Sequence, residues 1–334
     1  MANFLVTGAA GFIGSHLAQR CLEQGHCVVG LDSFASYYDP EIKRANLAQI
    51  EDHPSWSFIE GDLVDMDLES LLDGIEIVFH LAAQPGVRAS WGQTFGAYVE
   101  SNVTALQRLL EASRPGALER FVFASSSSVY GDAERLPTRE ATPLQPISPY
   151  GATKALGEHL CRLYHRSHAL PIVMLRYFTV YGPRQRPDMA FNKLIRAALD
   201  HEEIVIYGDG RQTRDFTFVG DAVDGTIAAA ADGHPGAVYN LGGGARTSMN
   251  DVLAMIAELT GEELNVRRAA AQAGDARDTA ADTSRARAQL GFAPERSLYE
   301  GLSDQISWHR RFLAAAAPAP TAHGSRQPRA RADV

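Results

Sequence analysis

Short apolar runs alternate with stretches of helical periodicity through the first half of the chain. Phe4-Leu5-Val6-Thr7, Cys27-Val28-Val29-Gly30-Leu31, Glu76 to Leu81, Phe121-Val122-Phe123-Ala124 and Ile172 to Phe178 read as buried strands. Between them, Ser15 to Gln24 and Asn102 to Ser113 read as helices. That alternation predicts an α/β fold with a parallel, doubly wound sheet. After Val180 the texture changes to a proline-bearing, arginine-rich loop from Tyr181 to Met189, followed by shorter elements such as Ile204-Val205-Ile206-Tyr207. The change predicts a first domain over residues 1–180, with later excursions from about 215–240, and a smaller α/β substrate-binding lobe over 181–313. Residues 314–334 are rich in Ala, Pro and Arg without a periodic apolar face, the pattern of a disordered tail.

The junction after the first strand carries the first chemical signal. Gly8-Ala9-Ala10-Gly11-Phe12-Ile13-Gly14 reads as a tight turn leading into a helix. Gly8 permits the turn off the strand, Gly11 lets backbone approach a pyrophosphate, and Gly14 lets the helix pack on the sheet. The helix N-terminus then presents free N–H groups and a positive dipole end to phosphate. The second strand ends at Asp32, whose carboxylate suits both ribose hydroxyls of an adenosine and repels a 2′-phosphate. Together these parts predict a Rossmann-type NAD-binding domain, with NAD favoured over NADP.

Tyr150 and Lys154 lie one helical turn apart in Ser148-Pro149-Tyr150-Gly151-Ala152-Thr153-Lys154 and share a face. A free phenol ionises near ~10, so Tyr150 serves as a base at neutral pH only where a positive charge favours the phenolate. Lys154 and an oxidised nicotinamide are the candidates for that charge. The same spacing also occurs on solvated helix faces, so the dinucleotide unit upstream is what gives the pair a chemical reading.

Composition narrows the partners. The net charge of −9 over 334 residues argues against a nucleic-acid binder. Cys21, Cys27 and Cys161 are odd in number and lack Cys-x-x-Cys spacing, so neither a disulfide framework nor a metal site is expected, and a reducing cytoplasm is the simplest setting. No basic-then-apolar leader and no run of about 18 apolar residues is present, so neither export nor a membrane partner is expected.

An ordered set of motifs resembles the extended short-chain dehydrogenase/reductases, specifically the nucleotide-sugar epimerases. It comprises the glycine turn, His80-Leu81-Ala82-Ala83, Ser125-Ser126-Ser127-Ser128-Val129-Tyr130-Gly131, the Tyr150/Lys154 pair and Arg176-Tyr177-Phe178-Thr179-Val180-Tyr181-Gly182. Three details resemble the UDP-glucuronate 4-epimerases. Thr179 stands where UDP-galactose 4-epimerases usually have asparagine, and Gly182 to Phe191 resembles the glucuronate version of the loop. Ser127 and Ser128 replace the acids typical of sugar-nucleotide 4,6-dehydratases and UDP-glucuronate decarboxylases.

The resemblance implies reversible C4 inversion of UDP-glucuronate to UDP-galacturonate through a 4-keto intermediate, with tightly bound NAD and a homodimeric enzyme. Tyr150, Lys154 and Ser126 are then catalytic. The implied NAD contacts are Gly8, Gly11, Phe12, Ile13, Gly14, Asp32, Asp62, Leu63, Leu81, Ala82, Ala83, Asn102, Ala124, Tyr150, Lys154 and Tyr177. Asn102 also reads as a helix cap, and His80 as a satisfied strand-end histidine. On the UDP-sugar side the resemblance implies Arg88, Ser126, Ser127, Ser128, Thr179, Arg186, Phe191, Lys193, Tyr207, Arg214 and Arg277. Hydroxyls from Ser127, Ser128 and Thr179 suit a carboxylate that must be held without a proton donor. Arg214 and Arg277 suit the diphosphate, while Arg186 either binds substrate or closes its loop, and Lys193 also fits a solvated helix position. A serine run after a strand equally reads as a capped turn, more so for Ser125 and Ser128 than for Ser126. The competing readings are a UDP-glucose or UDP-N-acetylhexosamine 4-epimerase, a UDP-glucuronate decarboxylase and a non-catalytic NAD-binding regulator.

Overall fold

The computed structural model describes residues 1–114, 118–270, 276–316 and 332–333. Six of the sheet strands are β1 (Asn3–Thr7), β2 (Cys27–Asp32), β3 (Trp56–Glu60), β4 (Ile77–His80), β5 (Arg120–Ser126) and β6 (Ile172–Tyr177). With an edge strand at Val238–Leu241 they form a seven-stranded sheet in the order edge, β6, β5, β4, β1, β2, β3. All its pairings are parallel. The expected Rossmann-type sheet is present, and the strand order reverses between β1 and β4.

Alternate side chains of each strand feed two apolar layers. Phe4 and Val6 pack with the helix α1 (Phe12–Glu23) and with Val219–Asp232. Leu5 and Val78 pack on the other face with Leu106, Leu109 and Leu110 and with Cys161 and Tyr164. Period-two alternation in strands covered on both sides gives each face its own core. A third cluster, including Tyr181, Phe191, Leu194, Ile204 and Ile256, forms the core of the second lobe.

Several boundaries differ from the sequence expectation. Phe12, Ile13 and Gly14 belong to the first turn of α1, which opens at Gly11 with the Ser15 amide donating to the Gly11 carbonyl at 3.1 Å. The helix expected from Asn102 is a longer unit: Phe95–Val99, a π-helical turn over Glu100–Thr104, then Ala105–Ala112. Asn102 therefore sits inside helix and caps nothing. Helix Leu298–Ala316 runs three residues into the segment expected to be a tail, and Ala332–Asp333 pairs with Ile204–Val205. The rest of that segment lies outside the described residues.

Three histidines, His80 and His309 buried and His16 half-buried, are held neutral. Burial, helped by the nearby cations Arg184, Lys154 and Arg196 respectively, lowers His16 to about 4, His80 to about 3 and His309 to about 4. His80 Nδ1 lies 2.9 Å from Thr7 Oγ1, as befits a satisfied strand-end histidine. An unfolded chain protonates these groups below about 6.5, whereas the folded chain does not until well below that. Their contribution is therefore full above about 6.5 and is lost as pH falls toward 4, at up to ~4 kcal/mol per pH unit if all three act independently. Urea unfolding midpoints at pH 7.5 and 5.0 check this: a marked fall is expected, and equal midpoints would refute it.

Candidate active site

The strand reversal opens a cavity of about 700 Å³ between the first domain and the second lobe. Its nucleotide end is built by the turn after β1. Gly8 has φ +73°, and a Cβ there would lie 2.8 Å from the Ala82 backbone nitrogen. A Cβ on Gly14 would lie 2.1 Å from the Gly8 carbonyl oxygen, so α1 reaches the sheet only with glycine at this position. Asp32 closes that end of the cavity. Its Oδ1 accepts from the Phe34 amide at 2.9 Å and from Lys43 Nζ at 3.0 Å. A bare glycine cradle, a helix N-terminus and a carboxylate at the end of the second strand fit an adenine dinucleotide.

The helix Pro149–His168 brings the reacting groups to the opposite wall. Ser148 starts it, its hydroxyl accepting from the Gly151 amide at 3.1 Å, and Pro149 occupies the first turn. Tyr150 and Lys154 both line the cavity, as do Ser126, Ser127, Ser128 and Thr179. The Ser126 hydroxyl stands beside the Tyr150 phenol and donates to Ser128 Oγ at 3.1 Å. Burial pushes this phenol above its usual range, opposed by the positive charge of Arg186 and by the Ser126 hydroxyl. Lys154 Nζ donates to the Ala124 carbonyl at 2.9 Å and stands over the Phe123 ring, and burial lowers it to about 8. Arg186, on the loop that folds over the site, adds a positive charge facing the phenol.

The profile of the NAD dependent epimerase/dehydratase family matches residues 4–242. The chain belongs to that family. Among relatives, it is 46% identical over 308 residues to YtcB of Bacillus subtilis (strain 168), described as an uncharacterized UDP-glucose epimerase, covering 92% of this chain and 97% of that one. A UDP-glucuronate 4-epimerase of Thermodesulfobacterium geofontis (strain OPF15) is 36% identical over 316 residues, covering 93% and 97%. The crystal structure of UDP-glucuronic acid 4-epimerase from Bacillus cereus, in complex with UDP-glucuronic acid and NAD, superposes with a TM-score of 0.90 at 43% identity, covering 93% and 99%.

In this epimerase/dehydratase cavity most of the expected residues meet. Gly8, Gly11, Phe12, Ile13, Gly14, Asp32, Asp62, Leu63, Leu81, Ala82, Ala83, Ala124 and Tyr177 line its nucleotide half, and Arg88, Arg186 and Lys193 the remainder. Asn102, Phe191, Tyr207, Arg214 and Arg277 do not line it. Asn102 accepts from the Gln84 amide at 2.7 Å and donates to the Gln84 carbonyl at 3.0 Å and to Thr153 Oγ1 at 3.1 Å. It thus ties the loop after β4 to the Tyr150 helix. Phe191 is buried in the second-lobe core, 4.5 Å between ring centroids from Phe216.

The remaining three lie beyond the rim. The Arg88 guanidinium stacks 4.8 Å from the Tyr207 ring, joining the two lobes there. Arg214 Nη1 donates to the Thr213 and Arg277 carbonyls at 3.0 and 2.7 Å. Arg277 is largely exposed beside Asp278, and the Gly274 and Asp275 that precede it lie outside the described residues. The serine run also differs from expectation: Ser126 is the turn cap, its hydroxyl accepting from the Ser128 amide at 3.1 Å, whereas Ser125 bonds Glu158.

Sequence reasoning missed other lining residues. Lys43, paired with Asp32, was within reach of the cap signal Asp39-Pro40, which starts the helix carrying it. Asp188 gave no such signal. Its carboxylate takes Arg186 in a two-point pair at 2.9 and 3.0 Å and accepts from the Tyr37 hydroxyl at 3.4 Å. Arg184, at φ +62°, anchors the same loop: Nη2 donates to Gln19 Oε1 at 2.7 Å and Gln49 Oε1 at 2.6 Å. Arg186 thus both closes the loop and faces the cavity.

Proposed function

We propose that the protein interconverts UDP-glucuronate and UDP-galacturonate by inverting C4, using resident NAD. One observation carries the reading: the Tyr150 phenol shares its wall with Ser126, Ser127, Ser128 and Thr179, and among the described residues no glutamate lines the cavity. Bound NAD supplies a reversible hydride acceptor beside the sugar. Tyr150, as phenolate, removes the proton from the C4 hydroxyl, and Ser126, on the same wall, relays it. Lys154, pinned to the Ala124 carbonyl, holds a donor at the cavity wall. Arg186 and Ser126 oppose the burial penalty on the phenol, and a cationic ring in the cavity adds to them.

A 4-keto glucuronic acid has its carboxylate at the β position, where carbon dioxide leaves once the breaking bond aligns with the carbonyl π system. The hydroxyls of Ser127, Ser128 and Thr179 hold a carboxylate without delivering the acid proton a glutamic side chain would supply. The sugar then turns within the site, hydride returns to the opposite face, and Tyr150 gives its proton back to the C4 oxygen. The relation to YtcB favours a second reading, a UDP-glucose 4-epimerase that uses the same Ser126, Tyr150 and Lys154.

A homodimer in a reducing cytoplasm belongs to the same reading. Phe95, Val99, Leu156 and Leu163 expose apolar side chains on the helical elements flanking one face of the sheet, Leu156 and Leu163 two turns apart on one helix. Cys21, Cys27 and Cys161 are free thiols. Among the described residues no helix is long and apolar enough to cross a membrane.

Proton NMR of the purified protein with UDP-glucuronate, and separately with UDP-glucose, tests the function. UDP-galacturonate from the first is expected, and inversion of UDP-glucose alone would select the second reading. Tyr150→Phe should retain NAD while losing ~10²–10⁴-fold in turnover; near-wild-type turnover would remove Tyr150 from the chemistry. Thr179→Val should raise the share of 4-keto pentose released with carbon dioxide, and an unchanged product ratio would remove Thr179 from carboxylate control. Sedimentation velocity should show two chains per particle at micromolar concentration; a single-chain particle would refute the dimer.

A further inference from the structure

A buried ionic cluster stands directly behind the Tyr150–Ser126 pair. Glu158 lies on the same helix as Tyr150 and Lys154, one turn beyond the lysine and two beyond the tyrosine. Its Oε1 accepts from Ser125 Oγ at 2.7 Å and from Arg176 Nε at 2.7 Å. Its Oε2 accepts from Arg176 Nη2 at 2.6 Å and Arg162 Nη2 at 2.8 Å. Arg176 Nη1 donates onward to the Tyr130 hydroxyl at 2.6 Å and the Glu140 carbonyl at 3.0 Å. The Glu158 and Arg176 side chains are only 0% and 1% exposed, so neither charge leans on water.

The register of the strands makes this cluster specific. Ser125 of β5 stands opposite Arg176 of β6, and the next pair along is Ser126 opposite Tyr177. Glu158 therefore grips both strands one residue before the point where each turns into the cavity, at Ser126 on one and on the way to Thr179 on the other. A buried ion pair is a poor way to gain stability, since apolar side chains of similar volume do as well or better. Its distinctive property is direction: five fixed donor positions on arginine accept one placement of a carboxylate.

We propose that Glu158 is a positioning residue: clamped to Ser125 and Arg176, it sets the register of the Tyr150 helix against β5 and β6, and with it the placement of Tyr150 against Ser126, through which the proton leaves. The proposal rests on the epimerase reading above and adds a residue that touches neither sugar nor cofactor. Burial alone would raise the Glu158 carboxyl, but the Arg176 pair and the Ser125 hydroxyl outweigh it and hold the group below the usual range, so it stays an anion throughout the working pH.

The test separates register from stability. The double variant Glu158→Leu/Arg176→Met replaces the pair with apolar volume and is expected to fold, with a thermal midpoint close to wild type. Its KM should stay within a few-fold of wild type while kcat falls ~100-fold, the scale of a small misplacement of reacting groups. The acid limb of the kcat–pH profile should also move to higher pH, because a Ser126 hydroxyl displaced from the phenol no longer supports the phenolate. A folded double variant with wild-type kcat and an unmoved profile would overturn the proposal. Should that variant fail to fold, Ser125→Ala cuts only the link to β5 and leaves Glu158 paired with Arg176 and Arg162. It should lose ~10-fold in kcat with the same displacement of the acid limb, and wild-type values there overturn the proposal equally. A wild-type protein that inverts neither UDP-sugar overturns the functional reading first and this proposal with it.

Discussion

The reversal of strand order between β1 and β4 is the constraint on which the rest of the molecule depends. Successive right-handed crossovers run outward from β1 in one direction and from β4 in the other, so their helices part at that seam. The glycine turn of β1, the Leu81-Ala82-Ala83 segment after β4 and the serines after β5 all end on it, and the second lobe covers it. A site at this seam follows from topology before any side chain is chosen.

Within the seam, burial acts in opposite directions on the two groups nearest the chemistry. It raises the Tyr150 phenol and lowers the Lys154 ammonium. Both shifts disfavour charge, and on the phenol the Arg186 loop works against that penalty. The loop that supplies Arg186 belongs to the second lobe in sequence yet is anchored on the first domain, through Arg184 on Gln19 and Gln49 and through His16, whose Nε2 lies 2.9 Å from the Pro183 carbonyl oxygen.

How much of this was legible depended on whether the signal was local. Gly8, Gly11, Gly14, Asp32 and the Tyr150/Lys154 pair could be read from spacing because one strand, one turn or one helix places each of them. The edge strand Val238–Leu241 was harder, since it joins the sheet next to β6 only after the chain has built much of the second lobe. Contacts that need two distant segments gave no signal at all: Asn102 on Gln84, Arg88 on Tyr207, Glu158 on Ser125 and Arg176. Arg214 and Arg277 lie off the cavity wall: Arg214 donates to the Thr213 and Arg277 carbonyls, and Arg277 is largely exposed beside Asp278.

Arg184 adopts a left-handed backbone, φ +62°, at a place where glycine would fit with less strain. The side chain it retains is what bolts the loop to α1, and α1 is the same helix whose first turn holds the phosphate cradle. Two residues further along, Arg186 faces the phenol. The dinucleotide cradle and the charge beside Tyr150 are thus mounted on one strut, so a displacement of α1 at one end of the pocket is transmitted as a change of electric potential at the other.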